Sequence, residues 1–387
     1  MSGLADLRLG FIPLTDCAPL IVAKALGFFA EEGLDVDLSR EVSWATIRDK
    51  VTVGALDGAH MLAPMALAST MGAGGLGDAV PIIAPLAMNL NGSAITVSAS
   101  LAAMLRDVDP QGMSQHPITA RPLARLVERR KTRGEPLLTF AVVFTYSMHA
   151  YELRYWMAEA GIDPDHDIRL VVTPPPRMVE QLRLGGIDGF CVGAPWNAVA
   201  VQEGLGEVLI KASEFWPGSP DKVFGVKALW AETYPDELRA ALRAMIRASA
   251  WADDPANRES LVALLSRPEH IGAPAEAIDW ALRDEIVFHD GAAGLPRREH
   301  ALWFLSQMVR WGQVEAEHDL GSAANQVYRP DLFRAAATSL GPTIAPEMAF
   351  ADAAKGPAMT LFDGLEFTPE AAALYAACFP ITRVKAI

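Results

Sequence analysis

The chain has 387 residues, room for roughly two domains at about 100–200 residues each. Hydrophobic residues make up 51% and charged residues 21%, the balance of a globular protein that buries a full core rather than of a disordered or disulfide-stapled one. Against 33 basic residues stand 47 acidic ones, a net charge of −14. This argues against a nucleic-acid or anionic-membrane surface, and an anionic ligand would need a local positive site.

In chain order, "LRLGFI" (7–12) reads as a strand, and Pro19 opens a helix over "PLIVAKALGFFAEEG" that ends at Gly33. "LDVDLSRE" alternates like a strand, and "SWATIRDKVTVGA" follows as a helix with Ser43 as its N-cap. "LDGAHML", "PIIAPLAMN" and "SAITVSASL" are three more strands. Residues 100–136 are less regular and carry a basic segment, "ARPLARLVERRKTRGE", expected to be a solvated helix. A second alternating unit follows. Its strands are "LTFAVVF", "IRLVVTP", "IDGFCVG" and "EVLIKA"; its helices are "MHAYELRYWMAEAG", "PPRMVEQLRLGG" and "PWNAVAVQEG". "KVFGVK" (222–227) then reads as a strand returning to the first unit, and from 236 onward the chain is mostly helical. No internal repeat is visible in the sequence. The βαβα alternation predicts an α/β class with largely parallel sheets. Two such units predict two lobes: residues 1–97 plus 222–387, and residues 98–221. The ligand cleft would lie between them, where strand C-terminal ends and helix N-termini converge.

Cys17, Cys191 and Cys378 are isolated and odd in number, so reduced thiols are expected and no disulfide framework. His60, His116, His166, His289, His300 and His318 show no metal-ligand spacing. "MSGLADLRLGFIPL" has no basic stretch followed by an apolar run of about 7–15 residues. No apolar run approaches the ~18 residues of a membrane span. The expected address is therefore cytoplasmic.

Several long strings, in order from about residue 7 to about 235, carry a resemblance. They include "GFIPLTDCAPLIVAKALGFFAEEGLDV", "SWATIRDKVTVGALDGAHMLAPM", "LNGSAITVS", "HAYELRYWMAEAGIDPDHDIRLVVTPPPRMVEQLRLGGIDGFCVGAPWN" and "PDKVFGV". The chain resembles the nitrate- and bicarbonate-binding proteins of bacterial ABC importers. That resemblance implies a periplasmic-binding-protein type II fold with a helical C-terminal extension and no cofactor. Without a recognisable export signal, the chain looks most like the cytoplasmic nitrate/nitrite sensor of the NasS type. That branch implies a NasT-type RNA-binding antiterminator as partner, released when nitrate or nitrite binds. The other reading is the binding component of an anion importer. An enzyme of thiamin-precursor synthesis is a distant third, because such enzymes carry a cysteine-rich iron-binding stretch that this chain lacks.

The family holds its anion with a Trp, a Gln, a His and a Lys. By resemblance the Trp is Trp44, an indole N–H donor with an aromatic face, or else a core tryptophan. The His is His149, at the start of a helix directly after a strand, or else an ordinary satisfied histidine. The Lys is Lys222, or else a surface lysine. At the fourth position "LNGSAI" places Ser93 where the importers read Gln. In "CVGAPWN" Ala194 stands where the importers often carry Glu, which makes bound calcium less expected, since calcium wants several oxygen ligands. Gly193 and the amides after it would line the anion site, or else form a plain strand-to-helix joint.

Overall fold

Each alternating unit forms its own five-stranded sheet in a computed structural model of the chain, which describes residues 4–73, 79–284, 286–341 and 359–384. The strands of the two sheets are β1 (Ala5–Phe11), β2 (Leu34–Arg40), β3 (Gly58–Leu62), β4 (Ile82–Ala87), β5 (Ser93–Ser98), β6 (Thr139–Val142), β7 (Arg169–Val172), β8 (Gly189–Gly193), β9 (Gly206–Lys211) and β10 (Lys222–Lys227). One sheet runs β2-β1-β3-β10-β4 and the other β7-β6-β8-β5-β9. In each, four strands run in one direction and the one fourth in sheet order, β10 or β5, runs antiparallel to both its neighbours. The topology therefore repeats although the sequence does not. Each sheet takes its antiparallel fourth strand immediately after the chain has left the other sheet.

This exchange moves one expected boundary. "SAITVSASL" was placed at the end of the first lobe, residues 1–97, but β5 lies in the second sheet between β8 and β9. The crossing is thus between β4 and β5. An apolar strand declares that it is a strand, not which sheet buries it.

The sheets are covered by α1 (Ala18–Ala25), α2 (Phe28–Glu31), α3 (Trp44–Val53), α4 (Ala63–Met71), α5 (Ala99–Val108), α6 (Arg121–Thr132), α7 (Met148–Glu159), α8 (Met178–Arg183), α9 (Trp196–Gln202) and α10 (Ala212–Phe215). The single helix expected over 19–33 is broken into α1 and α2 at Gly27, whose φ of +79° is a left-handed conformation that glycine adopts without steric cost. Ser43 caps α3 by accepting from the Thr46 N–H. The basic segment is α6. It buries Pro122, Leu123, Leu126 and Val127, and pairs its cations with acids: Arg125 with Asp109, Arg129 with Asp107, Lys131 with Asp167.

After β10 come α11 (Ala228–Thr233), α12 (Pro235–Asp253), α13 (Arg258–Leu265), α14 (Ala275–Asp284), α15 (Arg298–Arg310), α16 (Leu320–Val327) and α17 (Pro330–Ser339). A short pair, β11 (Met359–Thr360) with β12 (Glu366–Phe367), and then α18 (Ala372–Ala377) follow. α12 returns to the first lobe and packs on α1 and α2. Residues 359–384 do not stay there. Asp363 accepts from the Tyr155 hydroxyl (2.9 Å), the Phe362 N–H donates to the Phe215 carbonyl (2.9 Å), and Arg383 bridges Asp163 and Asp165. The C-terminal segment is a strap over the second lobe, a correction to its expected place in the first. Among the described residues no helix is long and apolar enough to cross a membrane.

Candidate functional site

Polar side chains converge where the two sheets face each other, delivered by strand ends. The turn after β1 brings Thr15 and Asp16; Trp44 opens α3 after β2; His60 lies within β3. From the second lobe, α7 brings His149 and Glu152, and β8 ends at Gly193. The two exchanged strands begin at the site: Ser93 is the first residue of β5 and Lys222 the first of β10. Strand C-terminal ends and crossover points are where open α/β folds place ligands.

At the centre stands the Lys222 ammonium, 1% exposed. It donates to Asp16 Oδ2 at 2.9 Å and to the carboxylate of Asp221. It also lies 5.6 Å from the centre of the Trp44 ring, within cation–π range. The Ile12 N–H donates to His60 Nδ1 at 3.4 Å, which leaves the imidazole proton on Nε2. That nitrogen is 2.8 Å from Asp16 Oδ1, off ideal hydrogen-bond alignment, with its N–H edge toward the carboxylate. His149 Nε2 is 3.5 Å from Asp221 Oδ2. Ser93 Oγ donates to Glu152 Oε2 at 2.7 Å.

Gly193 explains itself by distance. A Cβ there would stand 3.1 Å from Asp16 Oδ2 and 3.6 Å from both His149 Nε2 and Lys222 Nζ. Any side chain at this position would intrude among the charged groups.

The protonation states follow from burial and neighbours. Burial alone would raise Asp16, but Lys222 and His60 outweigh it and hold this carboxyl well below the usual range. Burial works against the Lys222 charge, and Asp16 with Asp221 more than restores it. Burial pushes His149 down to about 4, with Asp221 opposing only in part, so its imidazole is neutral near pH 7. Burial pushes Glu152 up to about 8 despite the hydrogen bond from Ser93, so its carboxyl is largely protonated near pH 7.

Several buried groups here lack a protein partner: the donors or donor-capable groups Trp44 Nε1, His60 Nε2, the His149 ring nitrogens, Thr15 Oγ1 and Glu152 Oε1, and the acceptors Asp16 Oδ1 and Asp221 Oδ1. A buried unsatisfied polar group costs about 1–3 kcal/mol. Several at one spot, on both lobes around an ammonium, describe a site for a small ligand that accepts hydrogen bonds. An ammonium has three donors. Two are engaged by carboxylates, and one remains for such a ligand.

All five residues expected from sequence, Trp44, Ser93, His149, Gly193 and Lys222, lie in this region, and the chemistry differs from expectation at Ser93 and at the amides after Gly193. Ser93 is engaged with Glu152. His149 is neutral near pH 7, and neither ring nitrogen is satisfied by a protein hydrogen bond. The amides after Gly193 are not available: the Ala194 N–H donates to the Gly92 carbonyl (2.7 Å), Pro195 has none, and the helix they precede has only seven residues. Asp16, His60, Asp221 and Glu152 were missed. His60 is one of several histidines whose spacing carries no signal. A usable signal existed for two of them: Glu152 is three residues from His149 on one helical face, and Asp221 adjoins Lys222.

Over residues 2–266 the chain matches the NMT1-like family. It belongs to that family. Among curated relatives, it is 32% identical to the nitrate/nitrite binding protein NrtA of Nostoc, over 97% of this chain and 86% of that protein. It is 36% identical to the nitrate import ATP-binding protein NrtC of Synechocystis, over 98% of this chain but 56% of that protein. The chain thus spans about half the length of its ATP-binding relatives. Among solved structures, the periplasmic nitrate-binding protein NrtA of Synechocystis superposes with a TM-score of 0.87 at 30% identity, covering 98% of this chain and 99% of that one. The two-lobe periplasmic-binding-protein fold and the membership in the nitrate/bicarbonate-binding group are therefore established. The relatives carrying these matches are named for binding and import.

Proposed function

We propose that the chain is a solute-binding protein that holds a small planar oxyanion, nitrate or nitrite, between its closed lobes as the binding component of an anion importer. One observation carries the ligand class. Trp44 on one lobe and His149 on the other present unpartnered buried nitrogens beside the Lys222 ammonium. An acceptor with charge spread over several oxygens satisfies them together. Relatives named for nitrate/nitrite binding support the same class. A thermal-shift panel tests it. A ligand present at 100 times its dissociation constant stabilises by about 2.7 kcal/mol, so nitrate or nitrite raises the melting temperature while chloride and sulfate do not. A melting temperature that ignores both nitrogen oxyanions contradicts the reading.

A second reading keeps the ligand and changes the output. It is a cytoplasmic nitrate/nitrite sensor that holds a NasT-type RNA-binding antiterminator and releases it on anion binding. Linkage requires that a partner expelled by the anion lower anion affinity by the same factor, about 5–150-fold for a coupling of 1–3 kcal/mol. Size exclusion of a co-expressed pair decides it. A complex that dissociates with nitrate supports the sensor; a pair that never associates leaves the importer component.

A further inference from the structure

Glu152 carries a part of the site that the expected set of residues leaves out. Ser93 and Gly193 are directly paired across β5 and β8, so the Ser93 side chain and the position of the missing Gly193 side chain share one face of the sheet. That face looks onto Asp16, His149 and Lys222. Cys191, two residues before Gly193, lies on it as well. Glu152 is 2% exposed, accepts from Ser93, and has Cys191 Sγ 3.5 Å away. Its other oxygen has no protein partner. A serine hydroxyl is too short to do the work of the glutamine amide expected there. Together, Ser93 and Glu152 offer what an amide offers: one polar oxygen held in place and one further group for the ligand.

We propose that Glu152 is a ligand-contacting, specificity-determining residue, which with Ser93 forms the second arm of the anion site. The proposal rests on the nitrate-class reading above. A neutral carboxyl has one O–H donor to give to a proton-free oxyanion such as nitrate, whereas an ionised one only accepts and repels it. An oxyanion that brings its own proton, such as bicarbonate, can donate to the ionised form. The site therefore ranks these ligands differently as Glu152 titrates. The groups that set this titration surround it: Asp221 and Lys222 before and on β10, Cys191 on β8, and Ser93 on β5. Burial places the midpoint at about 8, with Ser93 and Lys222 opposing and Asp221 reinforcing.

The experiment is calorimetric titration of the whole chain with sodium nitrate, sodium nitrite and sodium bicarbonate at pH 7 and pH 9. Wild type is compared with Glu152→Gln, which keeps a donor and cannot ionise, and with Glu152→Ala. Melting temperatures report on folding. If only the neutral form takes nitrate, wild-type affinity falls about tenfold from pH 7 to pH 9 for a midpoint of about 8. Bicarbonate affinity does not fall in parallel. Folded Glu152→Gln binds nitrate with no such slope, and folded Glu152→Ala binds more weakly at pH 7. A wild type that binds nitrate while Glu152→Gln keeps the tenfold slope, or while Glu152→Ala binds as wild type does, overturns this proposal and leaves the ligand class standing. A wild type that binds none of the three ions overturns the ligand class, and this proposal with it.

Discussion

Trp44 and His149 approach the site from opposite lobes, and what each contributes is a single hydrogen-bond donor rather than a charge. Trp44→Phe keeps an aromatic face beside Lys222 and removes the N–H together with part of the buried ring, which also lowers the melting temperature. In the folded variant, loss of the donor should cost about 1–3 kcal/mol of anion affinity, roughly 5–150-fold; titration calorimetry with unchanged affinity would show that the indole is a core residue. His149 gives a stability prediction. Its value is depressed from 6.5 to about 4 in the folded state. The unfolded chain therefore takes up a proton first as the pH falls, and stability present above about 6.5 is lost toward pH 4. Asp16, also depressed, adds to the acid loss at lower pH. Denaturant unfolding of His149→Gln between pH 6.5 and 4 should show a shallower decline than wild type. An identical decline would remove the buried imidazole from the account. At this scale the sequence offered the donors and hid their counterparts. Resemblance placed Trp44, His149 and Lys222. Nothing in "LTDC" or "LDGAHML" announces that Asp16 and His60 end up within 3 Å of each other, because burial of a charge is decided by elements remote in the chain.

At the scale of elements, the strand and helix pattern was largely legible, since period and punctuation are local. What was not legible was exchange and closure. β10 reads correctly as a strand returning to the first unit, but only the assembled sheets show that β5 has already crossed into the second. The strap was equally hidden. It grips α7, the helix that carries His149 and Glu152. The Tyr155 hydroxyl bonds Asp363 and lies 3.1 Å from that of Tyr375, and Arg310 of α15 lies 3.6 Å from the centre of the Phe379 ring and 4.9 Å from that of Tyr155. Arg310 is 1% exposed and donates to the Ile381 carbonyl. Burial lowers its guanidinium to about 10, so it stays charged at neutral pH and is held by ring faces. Arg310→Ala removes the contact that pins α18 and the residues after it. A large buried side chain truncated in this way typically costs about 3–5 kcal/mol. Limited proteolysis of this variant should cut first within residues 359–384, ahead of either sheet. Cleavage beginning inside the sheets would mean that the strap is not a separate unit.

As a whole, the molecule is drawn shut. The Thr15 N–H donates to the Ala194 carbonyl across the cleft (2.9 Å), the Trp196 indole donates to the Pro13 carbonyl (3.3 Å), and the charged cluster between them is buried. An ion reaches Lys222 only if the lobes part, so binding and closure are linked. Small-angle scattering should show the radius of gyration falling on addition of the anion, and no change at saturation would argue for a rigid cleft. The net charge of −14 fits this arrangement: the hold on an anion is local, made by the third donor of an ammonium already paired with Asp16 and Asp221 and by a set of oriented buried donors, not by the field of the surface. The measurement that bears most directly on that claim is titration of sodium nitrate and sodium nitrite into the purified chain by calorimetry, at neutral pH, beside Lys222→Met. Saturable one-to-one binding of at least one of the two ions, weakened about 30-fold or more in the folded variant, is the predicted result. No binding of either ion by wild type, or equal binding by Lys222→Met, would contradict it.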